Sequence, residues 1–320
     1  MIDFRKIKTY PLRERQNLLD TGIFVRDTAQ VQPWGNRKFR QLVRTVVTAA
    51  RNGKQVLVQI GAHVIKVGQS LLLIDLMERG VITHLAMNGA CAIHDFELAL
   101  QGATAESVAK NIEDGRFGMW EETGRMMNEA INRSRHGFGR TIGKLILDEK
   151  LPYLEYSLLA AACRLGIPAT VHVAIGTDII HQHPACDGAA TGRATFRDFK
   201  IYTNTVAQMA EGCFLNFGSA VIGPEVFLKA LSISRNLGFP VHPITTANFD
   251  CRPGITNYYY RPAKNIVLRP TSLGGTGYNF LVDHRISIPS FHRLALQMLE
   301  GAEEAPRRRR PTKVGSGAGC

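Results

Sequence analysis

Apolar and polar positions along the chain fall into two alternating rhythms. Between Phe39 and Arg51 the apolar residues recur at helical spacing, and Asn52-Gly53 closes the run as a helix terminus. Gln55 to Ile60 is then a short β-branched run that passes at once into Gly61-Ala62-His63. The rhythm repeats: residues 69–79 predict a helix closed by Gly80, and Ile82 to Met87 a strand running into Asn88-Gly89-Ala90-Cys91, with a further helix from about Ile93. Later, a helix over Leu154–Leu165 stops at Gly166-Ile167-Pro168 before a strand over Ala169–Ala174. Cys213–Phe217 leads through Gly218-Ser219-Ala220 into a helix over Pro224–Leu237, and Val241–Thr245 leads into Thr246-Ala247-Asn248.

Strands alternating with helices of this length predict an α/β fold, a Rossmann-like mostly parallel sheet with helices on both faces. Several strands exit into Gly, Ala, Ser or Asn. Such sheets bind ligands there, because small residues let backbone amides approach a phosphate at a helix start. Residues 1–36, punctuated by Pro11, Pro33 and Gly35, read as an irregular N-terminal segment, residues 37–300 as one domain, and 301–320 as a basic tail. The polar, helix-prone stretch from Glu113 to Lys150 reads as an insertion over the sheet, with a flexible interior over 133–140.

With 320 residues at 45% apolar composition the chain can bury a large core. No apolar run approaches the length of a membrane span. The start, Met1 to Lys8, lacks the apolar stretch of a secretory signal. Six scattered cysteines without a C-x-x-C pair read as reduced thiols, and the cytoplasm is the expected compartment. The net charge of +12 is uneven, since Arg307 to Arg310 stand together in a Gly/Pro/Ser/Ala-rich tail that cannot bury enough apolar surface to order itself. No basic stripe interleaved with aromatics points to nucleic acid. The remaining mild basicity suits an anionic ligand such as a dinucleotide.

The first strand is not followed by G-x-G-x-x-G. Gly274-Gly275-Thr276-Gly277 is either a surface turn or a phosphate loop. His181, His183 and Asp187 are potential metal ligands at close spacing, although Pro184 and Gly188 make their stretch a loop. Cys91 near His94 is either a thiolate pair or a buried cysteine in a tight turn.

Asn88-Gly-Ala-Cys-Ala-Ile-His-Asp95 after an apolar strand, Thr177-Asp178, Gly218-Ser-Ala220 and Thr246-Ala-Asn-Phe-Asp250 follow one another in an order that resembles deoxyhypusine synthase, and more closely its prokaryotic deoxyhypusine synthase-like branch. The resemblance covers roughly residues 35 to 300. It implies a homotetramer, NAD near the subunit interface, and transfer of an aminobutyl group from spermidine to a protein lysine or another amine. It places the cofactor against Ala62, His63 and Lys66, against Asn88, Gly89 and Ala90, and against Gly218, Ser219, Thr246, Ala247, Asp283 and His284. Asp178 or Asp187 matches a further cofactor aspartate, Thr177-Asp178 fitting one half of that motif and Asp187-Gly188 the other.

The polyamine side departs from the family. Its pair of carboxylates becomes Ile93-His94, leaving Asp95; its histidine becomes Pro224, beside Glu225; and its catalytic lysine falls on Pro270, which has no amine to form an imine. Lys264 and His94 are the remaining candidates for catalysis, Asp95, Glu225 and Asp250 for substrate binding, and Tyr258-Tyr259-Tyr260 for stacking on a cation. Three readings follow: an NAD-dependent amine transferase with a changed pocket, an NAD-binding protein without transferase activity, and a metal-dependent hydrolase on His181, His183 and Asp187.

Overall fold

A computed structural model describes residues 2–252 and 260–303; the basic run Arg307–Arg310 and Tyr258 and Tyr259 lie outside them. Six strands form one sheet: β1 (Val56–Ile60), β2 (His84–Asn88), β3 (Ala169–His172), β4 (Cys213–Phe217), β5 (Ile244–Asp250) and β6 (Gly275–Leu281). Their spatial order is β3-β2-β1-β4-β5-β6, and every neighbouring pair is parallel. This is the doubly wound Rossmann order, in which the chain reverses direction across the sheet between β1 and β4.

The helices form where caps and periodicity coincide. In α1 (Arg37–Arg51) the Asn36 side chain accepts from the amides of Lys38 and Phe39, and Phe39, Leu42, Val43, Val46 and Val47 share one buried face. The segment after β1 holds α2 (Ala62–Lys66) and α3 (Ser70–Glu78). After β2 comes α4 (Gly89–Gln101), started by the Asn88 side chain on the Cys91 amide and stopped by Gly102 in the left-handed conformation. The stretch between β2 and β3 adds α5 (Glu121–Arg133), α6 (Phe138–Asp148) and α7 (Leu158–Leu165). Last come α8 (Gly188–Ala207), α9 (Ile222–Asn236) and α10 (His284–Glu303).

Alternation along the strands divides the core in two. Val58 and Ile60, Leu85 and Met87, Leu215 and Phe217, and Phe249 join the larger apolar cluster with α1, α4 and α10. On the other face Leu57, Ala86 and Phe214 meet Tyr202 and Val206 of α8 and Phe227 of α9, with the Phe214 and Phe227 rings stacked at 3.8 Å. That second face is unusually polar for a buried layer. It carries His84, Thr170, His172, Gln59, Asn216 and Asn248, each at most 4% exposed.

Two sequence expectations change, and the irregular N-terminal segment gains contacts that the sequence does not show. The fifth strand runs from Ile244 to Asp250 and does not end at Thr245, so Thr246 and Ala247 lie inside it. The segment 113–150 is part of the core: α6 buries Phe138, Ile142 and Ile146, and Asp198 of α8 ties it to β3 by accepting from the amides of Gly139 at 2.9 Å and Val171 at 2.8 Å. The N-terminal segment is also built in, through a two-residue ribbon of Leu19–Asp20 against Ala103–Thr104 and through buried Arg15. Among the described residues no helix is long and apolar enough to cross a membrane.

Candidate functional site

The carboxyl ends of β1 and β4 are where a doubly wound sheet opens a crevice. Both strands leave through glycine. A Cβ on Gly61 would stand 2.5 Å from the Gly218 carbonyl oxygen, and one on Gly218, at φ +76°, would stand 2.5 Å from His284 Nε2. The two strand exits therefore meet backbone to backbone, with the His284 ring packed behind Gly218. His284 is fully buried, neither ring nitrogen has a hydrogen-bond partner among the described residues, and burial lowers its pKa to about 4. Exposed His63 of α2 stands alongside, its ring 5.8 Å from that of His284.

Over the first turns of α4 lies a cavity of about 210 Å³. It is lined by Lys66 of α2, Ala90, Ile93, His94 and Glu97 of α4, Asp178 after β3, and Arg15 and Glu106. Positions 90, 93, 94 and 97 face it because i, i+3, i+4, i+7 fall on one side of a helix. Arg15 makes a bidentate pair with Glu97 at 2.6 and 2.8 Å, both side chains 1% exposed. Thr104 Oγ1 lies 2.6 Å from Glu97 Oε2 and 2.8 Å from His94 Nδ1. A hydroxyl has one proton, and the paired carboxylate can only accept it. His94 Nδ1 is thus the donor to Thr104, and the ring's lone pair is on Nε2. Burial, opposed by the charge of Glu97 and aided by Lys66 and Arg15, lowers the His94 pKa to about 4, so the ring is neutral near pH 7.

Asp178 is 9% exposed and sits over the start of α4, where any side chain at position 89 would strike its carboxyl group. Its Oδ2 has no partner among the described residues, and burial raises its pKa to about 6. Asp187 is elsewhere, exposed, capping α8 through the amides of Ala189 and Ala190. The structure thus separates the two aspartates the sequence left as alternatives, and it is Asp178 that lines the cavity.

The other candidates are spread differently. Lys264 and Glu225 come together in a second cleft with Arg261, Asn265 and Arg269, apart from His94. There Glu225 accepts from Asn265 Nδ2 at 3.0 Å and pairs with Arg261 at 3.2 Å and with Lys229. Pro270 is buried, its carbonyl accepting from Arg235. Asp250 closes β5, held below the usual carboxylate range by Arg252 and the Tyr260 hydroxyl against the opposing effect of burial. Asp283 opens α10 and pairs with Arg285, which lowers its pKa to about 2.

Several expectations are corrected. Thr246 and Ala247 are fully buried in mid-strand and do not reach the crevice. Gly275 to Gly277 pair with Ile244 to Thr246, at the amino end of the strands and so on the edge away from the crevice. Asp95 is not a substrate group: its carboxylate accepts from Ser157 Oγ at 2.6 Å and from the amides of Leu158 and Leu159 at 2.7 and 3.1 Å, capping α7. Asp95→Ala should lower stability by about 2 kcal/mol in urea unfolding while leaving ligand affinity unchanged. Cys91 is buried, with its thiol pushed up to about 12, so it forms no thiolate pair with His94. His181 Nδ1 accepts from the Gly176 and Asp178 amides and His183 Nδ1 from the Ala185 amide, and among the described residues no three ligand-type side chains converge on a metal position. The hydrolase reading falls with them.

No protein-family model and no curated protein matches the chain. Solved structures do. ArgZ, an arginine dihydrolase from the ornithine-ammonia cycle in cyanobacteria, superposes with a TM-score of 0.50 at 16% identity, over 82% of this chain and 33% of that one. Unliganded AgrE gives 0.50 at 16% identity over 83% and 32%, and its ternary complex with ornithine and NAD+ gives 0.49 at 15% identity over 85% and 34%. A candidate deoxyhypusine synthase from Entamoeba histolytica gives 0.48 at 8% identity over 80% and 86%. The likeness to ArgZ and AgrE is one of fold, and the chain spans about a third of their length.

Arg15, Glu97, Thr104 and Glu106 had not been singled out from the sequence. Glu97 has a signal in hindsight, the α4 spacing that begins at Ala90. Arg15 has none, because it arrives from a segment without periodicity.

Proposed function

We propose that this chain is an NAD-dependent enzyme acting on a small amine, with the cofactor on the β1/β4 crevice and the amine in the cavity of Lys66, His94 and Asp178. The observation that carries the reading is a switch point whose two strands both leave through glycine, together with a cavity over the first turns of α4 that holds a carboxyl with one unpartnered oxygen and a neutral imidazole. Support for a dinucleotide there comes from the strand order, which puts the switch point between these two strands, and from the glycines at both strand ends, which let backbone amides approach a phosphate. Gly218, Ser219, His63 and Asp283 are the residues that would hold it. When bound, the nicotinamide supplies a hydride acceptor. Asp178 then pairs with the substrate ammonium, and His94 Nε2 accepts its proton as the carbon beside nitrogen is oxidised. Transimination of that imine by a second amine would expel 1,3-diaminopropane, and return of the hydride from the reduced cofactor to the new imine would complete the aminobutyl transfer that the deoxyhypusine synthase resemblance implies, with spermidine as the first donor to assay.

Calorimetric titration with NAD+ tests the cofactor step. Gly218→Val should abolish binding, because its Cβ enters the space of His284 at a φ that side chains rarely adopt. Unchanged affinity would remove the crevice from consideration. NADH formation on mixing protein, NAD+ and spermidine tests the chemistry; binding without turnover would leave a dinucleotide-binding protein. The rate at low amine concentration should fall as pH drops through about 6, because the raised pKa leaves Asp178 ionised only above that value. Asp178→Asn should flatten that limb.

A further inference from the structure

The charges around the cavity pair off unevenly. Arg15 is consumed by Glu97. Glu106 is consumed as well, accepting from Trp120 Nε1 at 2.9 Å, the Gly118 amide at 3.1 Å and Asn111 Nδ2 at 2.5 Å. Two groups are left: Lys66, which makes no hydrogen bond or ion pair among the described residues, and Asp178, buried with Oδ2 unsatisfied. One cation and one carboxylate face a single cavity of about 210 Å³. A cavity of about 150 Å³ already admits benzene, so this one has room for a chain of several carbons.

We propose that the amine taken by this cavity is an amino acid, its carboxylate on Lys66 and its ammonium on Asp178. The inference rests on the cavity being the amine site, and it makes an amino acid the expected donor there in place of spermidine. A diamine or polyamine would bring a second cation against Lys66 with no carboxylate to meet it, whereas a zwitterion satisfies both unpaired groups at once. An amine borne on a protein side chain would lack the carboxylate. The wall formed by Ile93 and Ile179 suits the methylene chain between the two ends.

Binding can be read without turnover, by calorimetry on the full chain in the presence of NAD+. L-Lysine would be compared with 1,5-diaminopentane, and L-ornithine with 1,4-diaminobutane, so that each pair differs by one carboxylate. Each amino acid should bind about 10- to 100-fold tighter than its decarboxylated partner, the range of a charge-assisted contact. Lys66→Met, on the rim of the cavity, should remove that preference; Asp178→Asn should weaken both members of a pair. Absence of binding by either amino acid, equal or tighter binding of the diamines, or a preference that survives Lys66→Met would overturn the proposal. A failure of NADH formation would count against the oxidation chemistry and leave this comparison standing.

Discussion

Replacing Glu97 with alanine is expected to destabilise the protein by about 3–5 kcal/mol, the effect of stranding one member of a buried ion pair. Arg15 and Glu97 are each 1% exposed and meet in a bidentate contact, so water cannot replace the lost carboxylate. Thr104 and Thr123 donate to the same carboxylate, at 2.6 and 3.0 Å, and would lose their acceptor as well. The expected readout is a large fall in the urea midpoint. Arg79→Ala, which breaks the exposed pair with Asp75, should change stability by less than about 1 kcal/mol. A Glu97→Ala midpoint close to wild type would mean that Arg15 finds another partner. The double variant Arg15→Met, Glu97→Met removes both charges together and should recover much of the loss. It should not recover the site. With Glu97 gone the Thr104 proton is free to face His94 Nδ1, and the ring loses the arrangement that leaves Nε2 as the acceptor.

That coupling explains which parts of the molecule were legible beforehand. The strands β1, β2 and β4 announce themselves as β-branched or apolar runs ending in glycine or asparagine, and their parallel order follows from the helices between them. Strand β5 reads as shorter in the sequence because Thr245, Thr246, Asn248 and Asp250 break the apolar run, although Thr246, Asn248 and Asp250 are buried in the sheet. β6 was passed over because its opening glycines read as a turn. Helix α8 begins at Gly188 with small residues, carries Arg193, Arg197 and Lys200 on its outer side and turns the charged Asp198 inward, so its apolar stripe is faint. At the site, His94, Lys66 and Asp178 were named from a resemblance, but their assembly depends on Arg15 crossing from the N-terminal segment and on Glu97 meeting it. Long-range pairing of two charges leaves no periodic trace in a single sequence. Asp95 differs for the converse reason: its neighbour His94 lines the cavity, whereas Asp95, about 100° further round the helix, turns to the start of α7.

The polar layer behind β1, β4, β5 and β6 should prove as necessary to the crevice as the residues that line it. Gln59, Asn216, Asn248 and Asn279 stand in register across four adjacent strands. Their amides form a ladder: Gln59 Nε2 donates to Asn216 Oδ1 at 3.1 Å, Asn216 Nδ2 to Asn248 Oδ1 at 2.8 Å, and Asn248 Nδ2 to Asn279 Oδ1 at 2.8 Å. Asn216 Nδ2 also donates to the Ser219 carbonyl at 2.9 Å, which fixes the loop after β4. Asn216→Leu keeps the branching at Cγ and removes every one of these contacts, leaving Gln59, Asn248 and Ser219 with buried unpaired atoms. The expected loss is about 2–4 kcal/mol by urea unfolding. Amide hydrogen exchange should also quicken over 218–223, and NAD+ affinity should fall. Asn279 is exposed at the end of the ladder, where water can take its place, so Asn279→Ala should change stability by less than about 1 kcal/mol. Equal effects at both positions would show that the ladder acts rung by rung. A large effect at Asn216 alone, accompanied by faster exchange at Ser219, would show that the buried amide holds the crevice loop in place.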